Sequence, residues 1–118
     1  HKNRRGYENN YRKILNNNNN NFTFQNNIKN RRRITWLVSV LLDEKIDREK
    51  YIQVLKEKGI DARPFFYPLS DMNIYKSYSK NHTPIAHRLS KFGLNLPTYE
   101  SLKSLNEVKN ILEGIDEL

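Results

Sequence analysis

The fold is decided by the stretch Gly59-Ile60-Asp61-Ala62-Arg63-Pro64-Phe65-Phe66-Tyr67-Pro68-Leu69, which we call the strap. Each of its two prolines fixes its own φ and disfavours helix for the residue before it, so Arg63 and Tyr67 are expected outside helices. The pattern therefore predicts a stiff, extended segment. One arginine among three aromatic rings indicates either a core strand with a cation at its rim or the wall of a pocket for an anionic ligand.

The residues before the strap predict a strand and a helix. Residues 34–42 form the most apolar run, rich in β-branched side chains, and are predicted to be the central strand with Trp36 in the core. Asp47 is placed to cap a helix over residues 48–58, and Gly59 to end it in the left-handed conformation. Strand, helix and strap would together form a β-α-β unit.

Apolar periodicity predicts five further elements. They are a lead helix within residues 1–15, a strand at 22–25, a helix that Thr83 caps and Gly93 stops, a strand at 94–97, and a last helix behind a capping box of Ser104 and Glu107. The order of the elements predicts an α/β or α+β fold, in which helices pack on a small sheet of three to four strands.

The charge of the chain is concentrated at its start. Residues 1–33 carry nine basic side chains and one acid, whereas residues 34–118 carry 12 of each, so the net charge of +8 belongs to the first part. We therefore divide the chain into a basic, asparagine-rich lead (1–33), made of a helix end and a loop at Asn16–Asn21, and a balanced domain (34–118). The lead could also bind nucleic acid, with aromatic residues interleaved for base stacking at Tyr7, Tyr11, Phe22 and Phe24.

Several classes of site and location are excluded or disfavoured by composition. The chain has no cysteine, which excludes disulfides and thiolate metal sites. His82 and His87 have no neighbouring ligand cluster at metal spacing, so we predict surface histidines and no metal site. No apolar run is long enough to span a bilayer and no signal-peptide pattern is present, so a cytoplasmic location away from membranes is expected.

Two ordered motifs carry a resemblance to a known family. The sequence GIDARPFFYPLS is followed by TPIAHRLSKFGLNLP and a closing helix. In these motifs the chain resembles the C-terminal small domain of the DegT/DnrJ/StrS sugar-nucleotide aminotransferases, most closely their GDP-perosamine synthase branch. The resemblance implies the small domain of the aspartate aminotransferase fold. It also implies an enzyme, usually a homodimer, that uses pyridoxal phosphate to move an amino group from glutamate to a nucleotide-linked keto sugar. Many relatives have histidine where this chain has Ser70, which puts a transfer of that histidine's role in doubt.

The same resemblance implies what the chain lacks. In the family, the Schiff-base lysine, the aspartate that pairs with the pyridine nitrogen and the phosphate-binding loop belong to the large domain, and none has a counterpart here. We therefore assign no catalytic and no cofactor-binding residue to this chain. By itself it is expected to be inactive and to bind no pyridoxal phosphate, with glutamate and the nucleotide sugar reached only together with the large domain.

Four residues are the candidate substrate-binding site. Arg63 could hold a substrate phosphate or carboxylate through its guanidinium, or else form a salt bridge to Asp61, to Asp43 or to the large domain. Phe66 or Tyr67 is expected to line the sugar-nucleotide cleft, together with Ser70. In an extended strap Phe65 and Tyr67 share one side and Phe66 takes the other.

Two other functions stay open at the level of sequence. One is the nucleic-acid-binding module based on the lead, although nucleic acid is not the expected partner. The other is a free-standing assembly or regulatory domain whose apolar face is left uncovered where a large domain would dock. Arg31–Arg33 would contact nucleotide phosphates in the enzyme, or form a solvated turn.

Overall fold

The computed structural model describes residues 2–15, 21–80, 82–98 and 105–114, and within them four helices and four strands. The helices are α1 (Lys2–Leu15), α2 (Arg48–Glu57), α3 (Pro84–Phe92) and α4 (Leu105–Glu113). The strands are β1 (Phe22–Phe24), β2 (Val38–Leu42), β3 (Arg63–Pro64) and β4 (Gly93–Leu96). Two short 3₁₀ turns lie between β3 and α3, at Leu69–Asp71 and Lys76–Tyr78.

The strands form one antiparallel sheet in the order β1-β2-β4-β3. Both β2 and β3 pair antiparallel with β4, so β2 and β3 run parallel to each other with β4 between them. The predicted β-α-β unit is therefore present, with one strand inserted in its middle. The predicted fold class, a small sheet of up to four strands with helices packed on it, is confirmed.

The core fills one face of the sheet. Along β2 every second residue is buried, and helices α1, α2 and α4 cover that face. Two tyrosines tie the helices down, because the hydroxyl of Tyr11 donates to the Pro97 carbonyl at 2.8 Å and that of Tyr51 to the Leu112 carbonyl at 3.2 Å. Burial raises the pKa of the Tyr51 phenol.

The predicted ends of α2 are confirmed. The side chain of Asp47 accepts a hydrogen bond from the backbone N–H of Lys50, which satisfies one of the free donors of the first turn. Gly59 follows the helix with φ 83°, a conformation that costs glycine little. The chain then returns to the core, where Ile60 donates to the Leu55 carbonyl at 2.8 Å.

The predicted central strand is shorter than expected. Residues 34–37 are not part of the sheet, because Thr35 turns to hydrogen-bond the carboxylate of Glu8 and Trp36 lies at the surface, 62% exposed. The prediction of Trp36 as a core residue was therefore wrong. Thr83 does precede α3, but its side chain caps no backbone N–H of that helix.

The lead contributes to the same core as the rest of the chain. Tyr11 and Leu15 of α1, and Phe22 and Phe24 of β1, are all buried. The division at residue 33 stays a prediction about domain organisation. The loop at Asn16–Asn20 and the capping residue Ser104 lie outside the described residues.

Neither a membrane span nor a metal cluster is found in the described part of the chain. None of its helices combines the length and apolarity needed to cross a bilayer. No group of three or more His, Cys, Asp or Glu side chains lies close enough together there to hold a metal ion.

Candidate functional site

The first half of the strap is anchored in the body of the protein. Ile60 and Ala62 are buried, and Arg63–Pro64 pairs with β4. The last anchor is Phe65, whose backbone N–H donates to the Gly93 carbonyl at 3.0 Å and whose side chain is half-buried. The backbone of the strap is therefore fixed up to Phe65, the residue directly before the exposed second half.

The second half of the strap is exposed. The ring of Phe66 stacks on the ring of Trp36, with centroids 6.1 Å apart and planes 13° apart, while both residues keep more than half of their surface open to solvent. Tyr67 and Leu69 come next in the chain and are 71% and 65% exposed. We call these four exposed residues the aromatic face, in which Trp36 and Phe66 are in ring contact. Exposed apolar groups in contact, as these two rings are, mark binding or docking surfaces more often than isolated ones do.

Arg63 uses its guanidinium on a neighbour in the strap. Its Nε lies 3.1 Å from Asp61 Oδ1 and its Nη2 lies 2.9 Å from Asp61 Oδ2. These hydrogen bonds raise the pKa of Arg63, whose side chain is 73% exposed. The geometry is the salt bridge that sequence reasoning left open as an alternative. An exposed pair of this kind is weak, so a better anion can compete for the guanidinium.

Ser70 belongs to a small polar network between the first 3₁₀ turn and α3. Its hydroxyl lies 3.4 Å from the Thr83 hydroxyl, and Nδ1 of His87 lies 2.7 Å from the Thr83 carbonyl oxygen. The other ring nitrogen of His87, Nε2, lies 2.7 Å from a carboxylate oxygen of Asp71. Since the carbonyl and the carboxylate are both acceptors, both ring nitrogens can donate to them at once only when the imidazole is protonated, so these two contacts favour the protonated form.

The polar network raises the pKa of His87 above 6.5, first through the backbone bond to Thr83 and then through Asp71. Sequence reasoning placed His87 at the surface and missed these partners. The available signal was the spacing of four residues between Thr83 and His87 at the start of a helix. The pairing with Asp71, 16 residues away, depends on how the 3₁₀ turn lies against α3 and has no signal in the sequence.

The four predicted site residues line none of four well-formed cavities found among the described residues. One of these cavities, of about 340 Å³ and mostly apolar, lies between the sheet and α3, beside Phe65, Leu89 and Gly93. Arg63, Phe66, Tyr67 and Ser70 instead lie along one exposed or half-exposed segment, and Trp36 joins them through its stack on Phe66. The arrangement offers apolar ring surface, one cation and one hydroxyl along an open wall.

Comparison with known proteins gives a consistent picture. Residues 1–116 match the sequence profile of the DegT/DnrJ/EryC1/StrS aminotransferase family. The chain is 39% identical over 82 residues to a GDP-perosamine synthase of Escherichia coli O157:H7, and 33% identical over 83 residues to a GDP-perosamine synthase of Vibrio cholerae. The alignments cover 70% and 68% of this chain and 22% of each relative, so the chain spans about a fifth of their length.

The structure is similar to solved aminotransferases over nearly the whole chain. Against the Helicobacter pylori aminotransferase PseC, involved in the biosynthesis of pseudoaminic acid, the TM-score is 0.81 at 17% identity. That match covers 99% of this chain and 33% of the other. At this identity the likeness concerns the fold alone, and the fold is that of one part of a larger chain.

Proposed function

The chain belongs to the DegT/DnrJ/EryC1/StrS aminotransferase family, and we propose that it is the C-terminal small domain of a pyridoxal-phosphate enzyme that aminates a nucleotide-linked keto sugar. Glutamate would supply the amino group, and the sugar would be a GDP-linked 4-keto-6-deoxy sugar, as in perosamine synthases. The similarity to two GDP-perosamine synthases supports this choice of branch. In this proposal the full-length enzyme is a cytoplasmic homodimer.

The observation that carries the proposal is the exposed Trp36–Phe66 stack on a chain that matches the family from residue 1 to 116. A stacked pair of rings that stays open to solvent gains little of the stability that burial would supply. Its position is explained if residues outside this chain complete a cleft on that side. The aromatic face is then one wall of the substrate cleft, and the large domain supplies the other.

The described residues do not fit pyridoxal phosphate by themselves. The cofactor's chemistry needs a lysine held against its reactive carbon and an acid on its ring nitrogen. No lysine among residues 3–15, 21–80, 82–98 and 106–114 is buried, and the buried acid Glu8 is already bound to Arg12, Arg33 and Thr35. We therefore propose that the large domain holds the cofactor and supplies the residues that carry out the reaction.

Each predicted site residue then has a role in binding. Phe66 and Tyr67 would pack against the nucleotide or the sugar, because aromatic rings bind flat, partly apolar groups well. Arg63 would leave Asp61 for a phosphate or carboxylate of a substrate, which offers the same bidentate geometry. Ser70 would donate or accept one hydrogen bond at the end of the strap.

The nucleic-acid alternative is disfavoured by burial. Of the four aromatic residues proposed for base stacking, Tyr11, Phe22 and Phe24 are buried in the core and Tyr7 packs against it. Base stacking needs exposed rings. The free-standing assembly module differs from the enzyme domain only in what covers the aromatic face. An amination assay distinguishes these two functions.

The test is an amination assay on the product of the complete reading frame that contains this chain. We expect this product to bind pyridoxal phosphate and to convert a GDP-linked 4-keto-6-deoxy sugar with glutamate as donor. Phe66→Ala should raise the KM for the nucleotide sugar about tenfold, the equivalent of about 1.4 kcal/mol, because one stacking contact is lost.

The matched control is Ile28→Ala. Ile28 is also 59% exposed but lies after β1, away from the strap, so this variant should keep the KM of the parent enzyme. A complete product without a Schiff-base lysine, or one that binds no pyridoxal phosphate, would overturn the proposal and leave an assembly domain of the same fold.

A further inference from the structure

Five arginines surround a polar cavity of about 230 Å³ between α1 and the loop after β1. They are Arg5 and Arg12 on α1, and Arg31, Arg32 and Arg33 on the loop. Glu8 is the only acid that lines this cavity among the described residues. We call this cavity the arginine pocket. It lies beside Gln25, next to edge strand β1, whereas the strap forms edge strand β3 at the other side of the sheet.

The single acid of the pocket is already neutralised. Glu8 is 5% exposed, and one of its carboxylate oxygens accepts hydrogen bonds from Arg12 and Arg33. The other accepts from the Thr35 hydroxyl at 2.6 Å. Arg12 and Arg33 also both donate to the Gln25 carbonyl. These two arginines are therefore part of the structure of the pocket, and they already offset the charge of Glu8.

The guanidinium groups of the other three arginines have no such partner. The side chains of Arg5, Arg31 and Arg32 make no hydrogen bond or ion pair with any residue in the described ranges 2–15, 21–80, 82–98 and 105–114. Five guanidinium groups against one carboxylate leave an excess of four positive charges around one cavity. Like charges held close together repel one another, and a bound anion removes that repulsion.

The backbone holds the loop arginines in place. Asn30 adopts φ 63°, a left-handed conformation that asparagine tolerates better than most residues, and the N–H of Arg31 donates to the Ile28 carbonyl at 3.2 Å. This turn directs the chain into Arg31–Arg33, and Arg33 is then anchored on Glu8. The run is therefore fixed at both ends while its first two side chains remain unpaired among the described residues.

We propose that the arginine pocket is a binding site for a phosphate or diphosphate group. Guanidinium groups bind phosphate oxygens in bidentate fashion, and several that converge on one concave site favour a compact anion of multiple charge. The proposal does not rest on the proposed function, because it is argued from the charges and contacts of the described arginines, although Thr35 at the edge of the pocket directly precedes Trp36 of the aromatic face. The phosphate could belong to a nucleotide or to a free anion.

The test is calorimetric titration of the 118-residue chain with inorganic diphosphate at low ionic strength. We expect saturable binding that weakens as salt is added, since the partners are charges at or near the surface. Arg31→Gln combined with Arg32→Gln should weaken it at least tenfold. Arg5→Gln, on the α1 wall of the pocket, should weaken it in the same direction. Because these three side chains bind no other described residue and their removal relieves charge repulsion, the variants should melt at or slightly above the temperature of the parent chain.

The matched control combines Lys56→Gln with Lys58→Gln. It removes the same net charge from the exposed end of α2 and should leave the affinity within about twofold of the parent. Parallel titrations with inorganic phosphate and GDP identify the source, since tighter binding of GDP than of diphosphate points to a nucleotide. The proposal would be overturned if none of these anions bound, or if the two double variants lost affinity equally. It would also be overturned if the chain bound an oligonucleotide duplex but none of these anions.

Discussion

At the scale of single residues, the aromatic face has the character of a binding surface and contributes little to stability. Phe66 touches Trp36 and Phe65, yet it remains more than half exposed, so removing its ring uncovers little apolar surface that folding had buried. Phe24 has the same side chain but is 8% exposed and lies under the guanidinium of Arg12. Substitutions at Phe66 and Phe24 therefore distinguish the contribution of a ring to binding from its contribution to stability.

We predict that Phe66→Ala lowers the free energy of unfolding by about 1 kcal/mol or less, as expected at an exposed position. Phe24→Ala should lower it by about 3–5 kcal/mol, because it leaves a cavity in the core. Urea denaturation followed by circular dichroism measures both. A loss at Phe66 as large as that at Phe24 would show that the stack is part of the core.

His87 gives the chain a pH-dependent contact at the residue scale. Its folded pKa is raised above 6.5 by Thr83 and Asp71, so the protonated ring stabilises the folded state. This contribution is fully present below pH 6.5 and is lost as the pH rises through the folded pKa. We expect an NMR titration of the imidazole to give a pKa above 6.5 in the parent chain and a lower one in Asp71→Asn. The same pKa in both would mean that the contact with Asp71 is not populated in solution.

At the scale of elements, the joint between α3 and β4 is closely packed around Gly93. A Cβ atom added at Gly93 would lie 2.3 Å from the Leu89 carbonyl oxygen and 2.6 Å from the Cβ of Phe65. The helix therefore ends directly in a strand, with the strap packed across the joint. Gly93 has φ −78°, so it is required here for space and not for a left-handed turn.

We predict that Gly93→Ala destabilises the chain by about 1–3 kcal/mol, because the helix, the strand and the strap cannot all move aside to make room for the added methyl group. Gly6→Ala is the control, since nothing lies within 4 Å of its added Cβ and alanine favours helix by about 1 kcal/mol over glycine. Thermal melts of the two variants should move in opposite directions. Equal small shifts would contradict the packing described at Gly93.

Patterns of neighbouring residues in the sequence predicted most of the helices and strands, but they predicted few of the contacts between these elements. Asp47 and Gly59 were identified correctly because caps and turns depend on a few neighbouring residues. Trp36 was misplaced because an apolar β-branched run indicates a buried strand whether or not its first residues reach the sheet. The Glu8 cluster was missed because it joins residues 25 and 27 positions apart in the chain, which no local pattern encodes.

The candidate site stays a prediction, and its arrangement could not be predicted from the sequence. The density of rings and prolines in the strap made it the candidate, and the fold leaves Phe66 and Tyr67 exposed. The partners of Arg63, Phe66 and Ser70 were seen only in the fold. The apolar side of α3 shows the same limit, since its periodicity indicates a buried stripe but Ile85 is 75% exposed.

At the scale of the whole molecule, the lead and the remaining chain are expected to unfold together, because they share one core. Glu8 on α1 is bound by Arg33, the last residue of the lead, and by Thr35, which precedes β2, so the Thr35 contact joins the lead to the remaining chain. Glu8→Gln should lower the free energy of unfolding by about 1–3 kcal/mol, because its three charge-assisted hydrogen bonds, from Arg12, Arg33 and Thr35, weaken. Trp36 fluorescence and far-ultraviolet circular dichroism should then shift together.

The control for that variant is Glu57→Gln, at an exposed residue of α2 whose carboxylate accepts a hydrogen bond from Gln53. It should change stability by less than about 0.5 kcal/mol. Two separate transitions in the Glu8 variant, one for the lead and one for the rest, would instead support the lead and residues 34–118 as independent units.

If the proposed function is correct, this chain carries half of a substrate site, and residues outside the chain cover the aromatic face. Hydroxyl-radical footprinting tests this by comparing oxidation of Trp36, Phe66 and Tyr67 in the 118-residue chain and in the product of the complete reading frame. All three are more than half exposed here, so rapid oxidation is expected in the chain alone. We predict strong protection in the complete product, and further protection when the nucleotide sugar is added. Equal oxidation in all three samples would mean that nothing covers the aromatic face and that the chain does not carry half of a site.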